Sequence, residues 1–194
     1  GLGDVYKRQV TLKAIPDVHV QDMWIKPTLN EDNTSGAIRV DVKISAVKVG
    51  EKSAKFILAD KSGNKLLCKD IALEDTAGIV QGSMMAEVEK VIPWDNRSPY
   101  LYEAFIEVYE NGQLAEVVFY RVGFRRLEII DKVMYLNGKR LILTGVNRHE
   151  WNAKTGRVIG MDEMISDMKC VKRNNINAVR TCHSVSYTHL RAHE

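Results

Sequence analysis

The chain has 194 residues, 45% of them hydrophobic, with 28 Lys and Arg against 25 Asp and Glu and a formal net charge of +3. That length holds one or two domains and can bury a real core. The near balance of charge removes the electrostatic case for nucleic acid, and no apolar run is long enough to span a bilayer.

Residues 10–15 (VTLKAI) alternate and read as a short strand ended by Pro16. From residue 17 to 124 the pattern is all-β. Val18, Val20, Met23 and Ile25 begin a strand that Pro27 should stop, and residues 30–36 form a polar turn. Ile38, Val40, Val42 and Ile44 alternate with Arg39, Asp41 and Lys43, the signature of a half-buried strand. Residues 54–59 and 65–73 flank Lys61-Ser62-Gly63-Asn64 as a hairpin, and residues 84–91 form another candidate strand. Residues 102–109 and 114–120 flank Asn111-Gly112, a strong type I′ turn signal. About seven short strands in roughly 110 residues predict an immunoglobulin-like sandwich. Its aromatic residues Trp24, Trp94, Tyr100 and Tyr102 form no obvious exposed stripe, so burial in the core or between domains is favoured over a sugar-stacking role. Cys68, Cys170 and Cys182 have neither metal-ligand spacing nor a disulfide framework, and are expected to be small buried hydrophobes.

Residues 125–131 link this region to the next. Arg125 and Arg126 could pair with carboxylates there or be solvated, and solvation is expected for at least one. A hairpin is predicted over residues 135–150, turning at Asn137-Gly138. Within it residues 141–146 are nearly continuously apolar, as in a strand buried on both faces. That run ends in Asn147, Arg148, His149 and Glu150. Residues 161–175 read as a helix with Met161, Met164, Ile165, Met168 and Val171 on one face. Asp162 and Glu163 in its first turn and Lys169, Lys172 and Arg173 in its last match the helix dipole. Residues 175–179 then form a strand running into Arg180, Thr181, Cys182 and His183. Strand, helix, strand, with a polar cluster closing each strand, is the pattern of a parallel crossover. In barrels and open sheets that end of a strand is where sites are built.

LNGKRLILTGVNRHE, the Asp167-Met168-Lys169 triplet and NNINAVRTCH together resemble glycoside hydrolase family 2, and within it the β-galactosidases. PWDNRSPYLY from position 93 and YRVGFRRLEI from position 120 resemble the domain that precedes the barrel in that family. The likeness runs from about residue 10 to 183. It implies a mixed architecture: residues 10–16 closing an N-terminal jelly-roll domain, a sandwich over 17–124, and the first βαβ of a truncated (β/α)8 TIM barrel over 125–183. Residues 1–9 and 184–194 resemble translated adapter sequence and are expected to be non-native tails, with the true N-terminus missing. The compartment is therefore open, with the cytoplasm favoured.

The resemblance also implies a chemistry. His149 and His183 would contact sugar hydroxyls, since a neutral imidazole offers one donor and one acceptor to a vicinal pair. Arg180 would lie under the catalytic centre and orient carboxylates. Asn147 would join the substrate-binding set, and Asn147 and Arg148 could both brace the strand ends. Trp151 could stack on sugar or pack under the loop 151–160. A retaining glycosidase needs two carboxyl groups ~5–5.5 Å apart. In the family both glutamates lie on later barrel strands, beyond this chain's end. The expectation is thus an inactive fragment of a retaining β-galactosidase acting on terminal β-galactose. The alternatives are another family 2 exo-glycosidase, β-glucuronidase or β-mannosidase, and a carbohydrate-binding sandwich module. No cofactor is expected in the chain itself, and the resemblance allows a divalent cation such as Mg²⁺ in a full-length parent, which could be a homo-oligomer.

Overall fold

In the computed structural model, which describes residues 14–46, 50–76 and 79–181, seven strands follow one another. They are β1 (Val18–Leu29), β2 (Gly36–Ala46), β3 (Lys52–Ala59), β4 (Lys65–Thr76), β5 (Ile79–Val88), β6 (Tyr102–Glu110) and β7 (Gln113–Val122). All neighbours are antiparallel, in the order β1-β2-β5-β4-β3-β6-β7. The single connected sheet becomes a sandwich because β4 changes partners along its length. Residues 65–71 pair with β3, and Ala72 onward pairs with β5. At that corner Gly82 lies opposite Leu73, and a Cβ there would come 2.5 Å from the Ala72 carbonyl oxygen. Only glycine tolerates so close an approach.

The predicted alternation is the core. Ile38, Val40, Val42 and Ile44 of β2 face Phe56 and Leu58 of β3 and Ala104, Ile106 and Val108 of β6 in one buried cluster. Tyr102 joins it, its ring edge-on to Tyr100 and Phe124 and its hydroxyl accepting the Ile92 N–H at 2.7 Å. Burial pushes the Tyr102 phenol above its usual range. The two edge strands meet where the Val20 N–H donates to Glu116 Oε2 at 2.6 Å. The turns are as the sequence predicts: Asn111 and Gly112 both have positive φ, 49° and 77°, as a type I′ turn requires.

Several expectations change in detail. Residues 14–16 belong to no strand, and residues 10–13 lie outside those described. Pro27 does not stop β1, which runs on to Leu29. The strand is at a sheet edge, where a missing N–H is tolerated. β5 starts at Ile79 rather than 84; Gly82 hides the inward series Val80, Met84, Val88. Cys68 and Cys170 are exposed rather than buried, because each occupies an outward position on its element. Of the sandwich aromatics, Tyr102 is buried, while Trp24 is exposed with Lys26 Nζ 3.0 Å above its ring.

Residues 127–140 add a small antiparallel sheet: β8 (Leu127–Ile130), β9 (Val133–Leu136) and β10 (Lys139–Arg140). It belongs to the same compact unit as the sandwich. Asn137 has φ 52° and Gly138 φ 77°, the predicted turn. The Asn137 side chain accepts the Arg126 N–H at 2.9 Å and donates to the Trp94 carbonyl at 3.0 Å, so one residue makes the turn and latches it to the sandwich. Arg126 pairs with Glu128 at 2.9 Å and donates to the Asn30 carbonyl, while Arg125 stacks over Trp94.

The hairpin predicted over residues 135–150 closes after two residue pairs, Lys139 with Leu136 and Arg140 with Tyr135. The second compact unit begins at Leu141. It contains β11 (Gly145–Arg148), α1 (Met161–Arg173) and β12 (Ala178–Thr181). The apolar run 141–146 is not a doubly buried strand. Ile142 and Leu143 are 65% and 56% exposed, and only its last two residues join β11. A strand is buried on both faces only when sheet neighbours and covering helices are present. Among the described residues β11 has one strand neighbour, β12. None of these residues forms a helix long and apolar enough to cross a membrane.

Candidate functional site

β11 and β12 run parallel, joined through α1. The crossover is locally encoded at both ends. Glu163 reaches back so that the Gly160 N–H donates to its carboxylate at 3.0 Å, satisfying an orphan donor at the start of α1. At the other end Asn175 has φ 55°. Its N–H bonds the Lys172 carbonyl, and the Ile176 N–H bonds that of Val171, both at 3.2 Å. That is a Schellman arrangement with asparagine in the left-handed position. The chain then turns straight into β12. Met164 is the helix residue that is buried, against Ile159. Met161 and Ile165, expected on the same face, are 38% and 42% exposed.

Asn177 prepares the strand pair. Its side chain accepts the Thr144 N–H and donates to the Ile142 carbonyl, each at 2.8 Å, while its own N–H reaches the Thr144 carbonyl at 3.0 Å. One asparagine thereby does for residues 142–144 what a ladder of backbone bonds does within a sheet. Asn174, before it, caps the helix by donating to the Cys170 carbonyl.

The register pairs Gly145 with Ala178, Val146 with Val179, Asn147 with Arg180 and Arg148 with Thr181. Paired residues of parallel strands share a face, and successive residues alternate. Asn147 and Arg180 are therefore neighbours on one face, both exposed at the carboxyl ends of their strands. His149 is one residue beyond β11 and also exposed. Of the four expected substrate-binding residues, three are thus described and two are brought side by side. The fourth, His183, lies outside the described residues, as does Cys182, so the expected meeting of two imidazoles at one rim falls there too.

On the other face sits Arg148, expected from the sequence to brace the strand ends but with no partner named there. Arg148 is only 9% exposed, and its Nε and Nη2 donate to Asp167 Oδ2 of α1 at 3.1 and 2.9 Å. Its Nη1 faces Glu150 Oε1 at 4.0 Å, and Glu150 is 8% exposed. Neither of those two atoms makes a hydrogen bond among the described residues. The available signal was Asp167 itself: the dipole accounts for Asp162 and Glu163 but not for an acid in mid-helix.

After Glu150 the loop closes on itself. Asn152 and Gly156 exchange two backbone hydrogen bonds of 2.8 Å, with Gly156 at φ 65°. Trp151 at the root of this loop is 61% exposed. Chemically the strand ends present an exposed amide, imidazole and guanidinium, and Trp151 adds an exposed indole two residues after His149. They offer no pair of free carboxylates, because Glu150 is buried toward Arg148 and Asp167 is engaged by it. Among the described residues no three His, Cys, Asp or Glu side chains gather as a metal-ligand group.

Comparison with known proteins matches residues 18–125 to the family described as "Glycosyl hydrolases family 2" and residues 127–189 to "Glycosyl hydrolases family 2, TIM barrel domain". The "Beta-galactosidase large subunit" of Lactobacillus acidophilus is 43% identical over 91% of this chain and 27% of its own length. The "Beta-galactosidase" of Streptococcus thermophilus is 42% identical over 93% of this chain and 17% of its own length. The chain thus spans about a quarter or less of these relatives. Among solved structures, the β-glucuronidase of Parabacteroides merdae superposes with a TM-score of 0.72 at 25% identity, covering 87% of this chain and 21% of that one. A family 2 member from Bacteroides cellulosilyticus reaches 0.80 at 19% identity, over 91% of this chain and 23% of that one, a likeness of fold.

Proposed function

Because this chain belongs to glycosyl hydrolase family 2, we propose that it serves a β-galactosidase, supplying part of the wall that holds a terminal β-galactose. The observation that carries this reading is the register pairing of Asn147 with Arg180 at the carboxyl ends of two parallel strands, with His149 one step further along. Identities of 36–43% to β-galactosidases over about nine-tenths of the chain favour galactose as the sugar. In this reading Asn147 and His149 exchange hydrogen bonds with vicinal hydroxyls. Arg180, fixed beside Asn147, sets a positive potential that keeps neighbouring carboxyl groups ionised. His183 completes the set as the second imidazole.

The two chemical steps belong elsewhere. Double displacement needs an acid/base and a nucleophile flanking the bond, and neither Glu150 nor Asp167 is placed to be either. The chain by itself should therefore leave 4-nitrophenyl β-D-galactoside unhydrolysed. A rate lost on His149→Ala would overturn that assignment.

A glucuronide is the second reading, favoured by the solved β-glucuronidases that share the fold. Titrating the ¹⁵N-labelled chain with methyl β-D-galactoside and, separately, methyl β-D-glucuronide separates the two. The galactoside is expected to shift the Asn147, His149 and Arg180 resonances at millimolar concentration. Shifts there with the glucuronide alone would replace galactose as the sugar.

A further inference from the structure

We propose that Arg148 is a positioning residue: held between Asp167 and Glu150, it fixes the backbone on both sides of His149 and so aims that imidazole toward the face shared by Asn147 and Arg180. What the imidazole is aimed at rests on the saccharide reading above; the clamp rests on geometry alone.

Three observations combine. Arg148 and Glu150 are both buried while His149 between them is exposed, so burial separates the imidazole from the side chains on either side of it. The two buried neighbours face each other as opposite charges, and Arg148 is bonded to the helix. Arg148 donates twice to Asp167 in the helix, and its remaining terminal nitrogen faces Glu150 at 4.0 Å. Finally, the Trp151 N–H donates to the His149 carbonyl at 2.9 Å, turning the chain immediately after the clamp. His149 thus stands between an anchored residue on each side and a hydrogen bond on its own carbonyl.

The clamp needs a planar fork. One guanidinium edge lies along Asp167 while the opposite nitrogen turns to Glu150. A lysine ammonium is a point charge that cannot present both edges at once. Glu150 also needs the guanidinium, because a buried carboxylate facing no cation is expelled toward water, and its movement would carry the adjoining His149 backbone with it. A brace for the strand alone would need Asp167 but not Glu150.

The test uses the full 194-residue chain with isotope-labelled histidine, comparing Arg148→Lys, Arg148→Met, Glu150→Gln and Asp167→Asn. Three-bond couplings report the His149 χ1 rotamer, and amide exchange in β2, β3 and β6 reports the sandwich. A single His149 rotamer is expected in the parent chain. Averaging over rotamers is expected in Arg148→Lys and Glu150→Gln, with sandwich exchange unchanged. A single unchanged rotamer in both of those variants would overturn the proposal. Should Arg148→Met unfold residues 141–181, the lysine, glutamine and asparagine variants still carry the measurement.

Titration with methyl β-D-galactoside then separates the clamp from the saccharide reading. Arg148→Lys should weaken the galactoside response about tenfold, the scale of loss when a supporting partner is removed. No galactoside response in the parent chain, with the rotamer difference intact, would end the saccharide reading and leave the clamp standing. An equal response in the parent chain and Arg148→Lys, with one unchanged His149 rotamer in both, would end the clamp and leave the saccharide reading standing.

Discussion

Removing the Arg148 guanidinium leaves Glu150, 8% exposed, as a buried charge without its cation. Breaking a buried pair in this way costs about 3–5 kcal/mol. Arg148→Met should therefore erase amide protection in β11, while the double variant Arg148→Met/Glu150→Leu, which removes both charges, should recover much of it. A double variant as unprotected as the single one would show that the charge was not the cause. A second residue-scale prediction concerns Asp32. Its carboxylate accepts the backbone N–H groups of Thr34 and Ser35 and both their hydroxyls, at 2.9–3.0 Å. Those bonds, the Thr34 amide first, hold its pKa far below the ordinary value of 3.8. A carboxyl with a depressed folded pKa stabilises the fold above its unfolded pKa, and that contribution is lost as pH falls through the folded value. The difference in melting temperature between the parent chain and Asp32→Ala should be full at neutral pH and shrink as pH drops below about 4. A difference that does not depend on pH would contradict the assignment.

Elements show which parts of the fold local sequence can announce. Asn137-Gly138 and Asn111-Gly112 were legible because a type I′ turn is a property of two residues. The alternation of residues 38–44 was legible because one strand face repeats every second position. What stayed hidden depends on residues far apart. Nothing local in residues 65–76 says that β4 trades β3 for β5 at Ala72. Nor does Asn177 announce that its side chain will hold residues 142 and 144. The site follows the same division. Asn147, His149 and Arg180 were recognisable as polar residues ending apolar strands, but the partnership of Arg148 with Asp167, 19 positions away, appears only when α1 packs. The apolar run 141–146 misled because composition records what a segment can bury against, not whether the partner is there.

Two element-scale outcomes follow from these contacts. Asn137 serves as turn residue, acceptor and donor at once, so Asn137→Ala forfeits two hydrogen bonds and the left-handed preference together. The expected loss is about 2 kcal/mol, read by denaturant unfolding of the sandwich unit. A loss within about 0.5 kcal/mol, the range of ordinary surface substitutions, would show that the latch contributes little. At the end of α1, Asn175→Val places a β-branched side chain at φ 55° and should cost about 1–2 kcal/mol, whereas Asn175→Gly should be neutral or stabilising. Helicity measured by circular dichroism orders the parent chain and the two variants, and valine equal to asparagine would refute the Schellman arrangement.

At the scale of the molecule the two units differ sharply in what they bury. The sandwich encloses a cluster that includes fully buried Phe56, Leu58, Ile38 and Ile106, while the described part of the second unit buries Ile159 and Met164. Residues 141–181 should therefore exchange amides faster than β2, β3 and β6 and lose structure first on heating. One cooperative transition with uniform protection would contradict that division. Where a sugar rests decides between the barrel strand ends and the sandwich. The most direct measurement is a search for intermolecular nuclear Overhauser effects between the ring protons of methyl β-D-galactoside and the labelled chain. Contacts are expected to the His149 imidazole and the Arg180 side chain at the carboxyl ends of β11 and β12. Contacts confined to the sandwich, at Trp24 for example, would contradict that expectation.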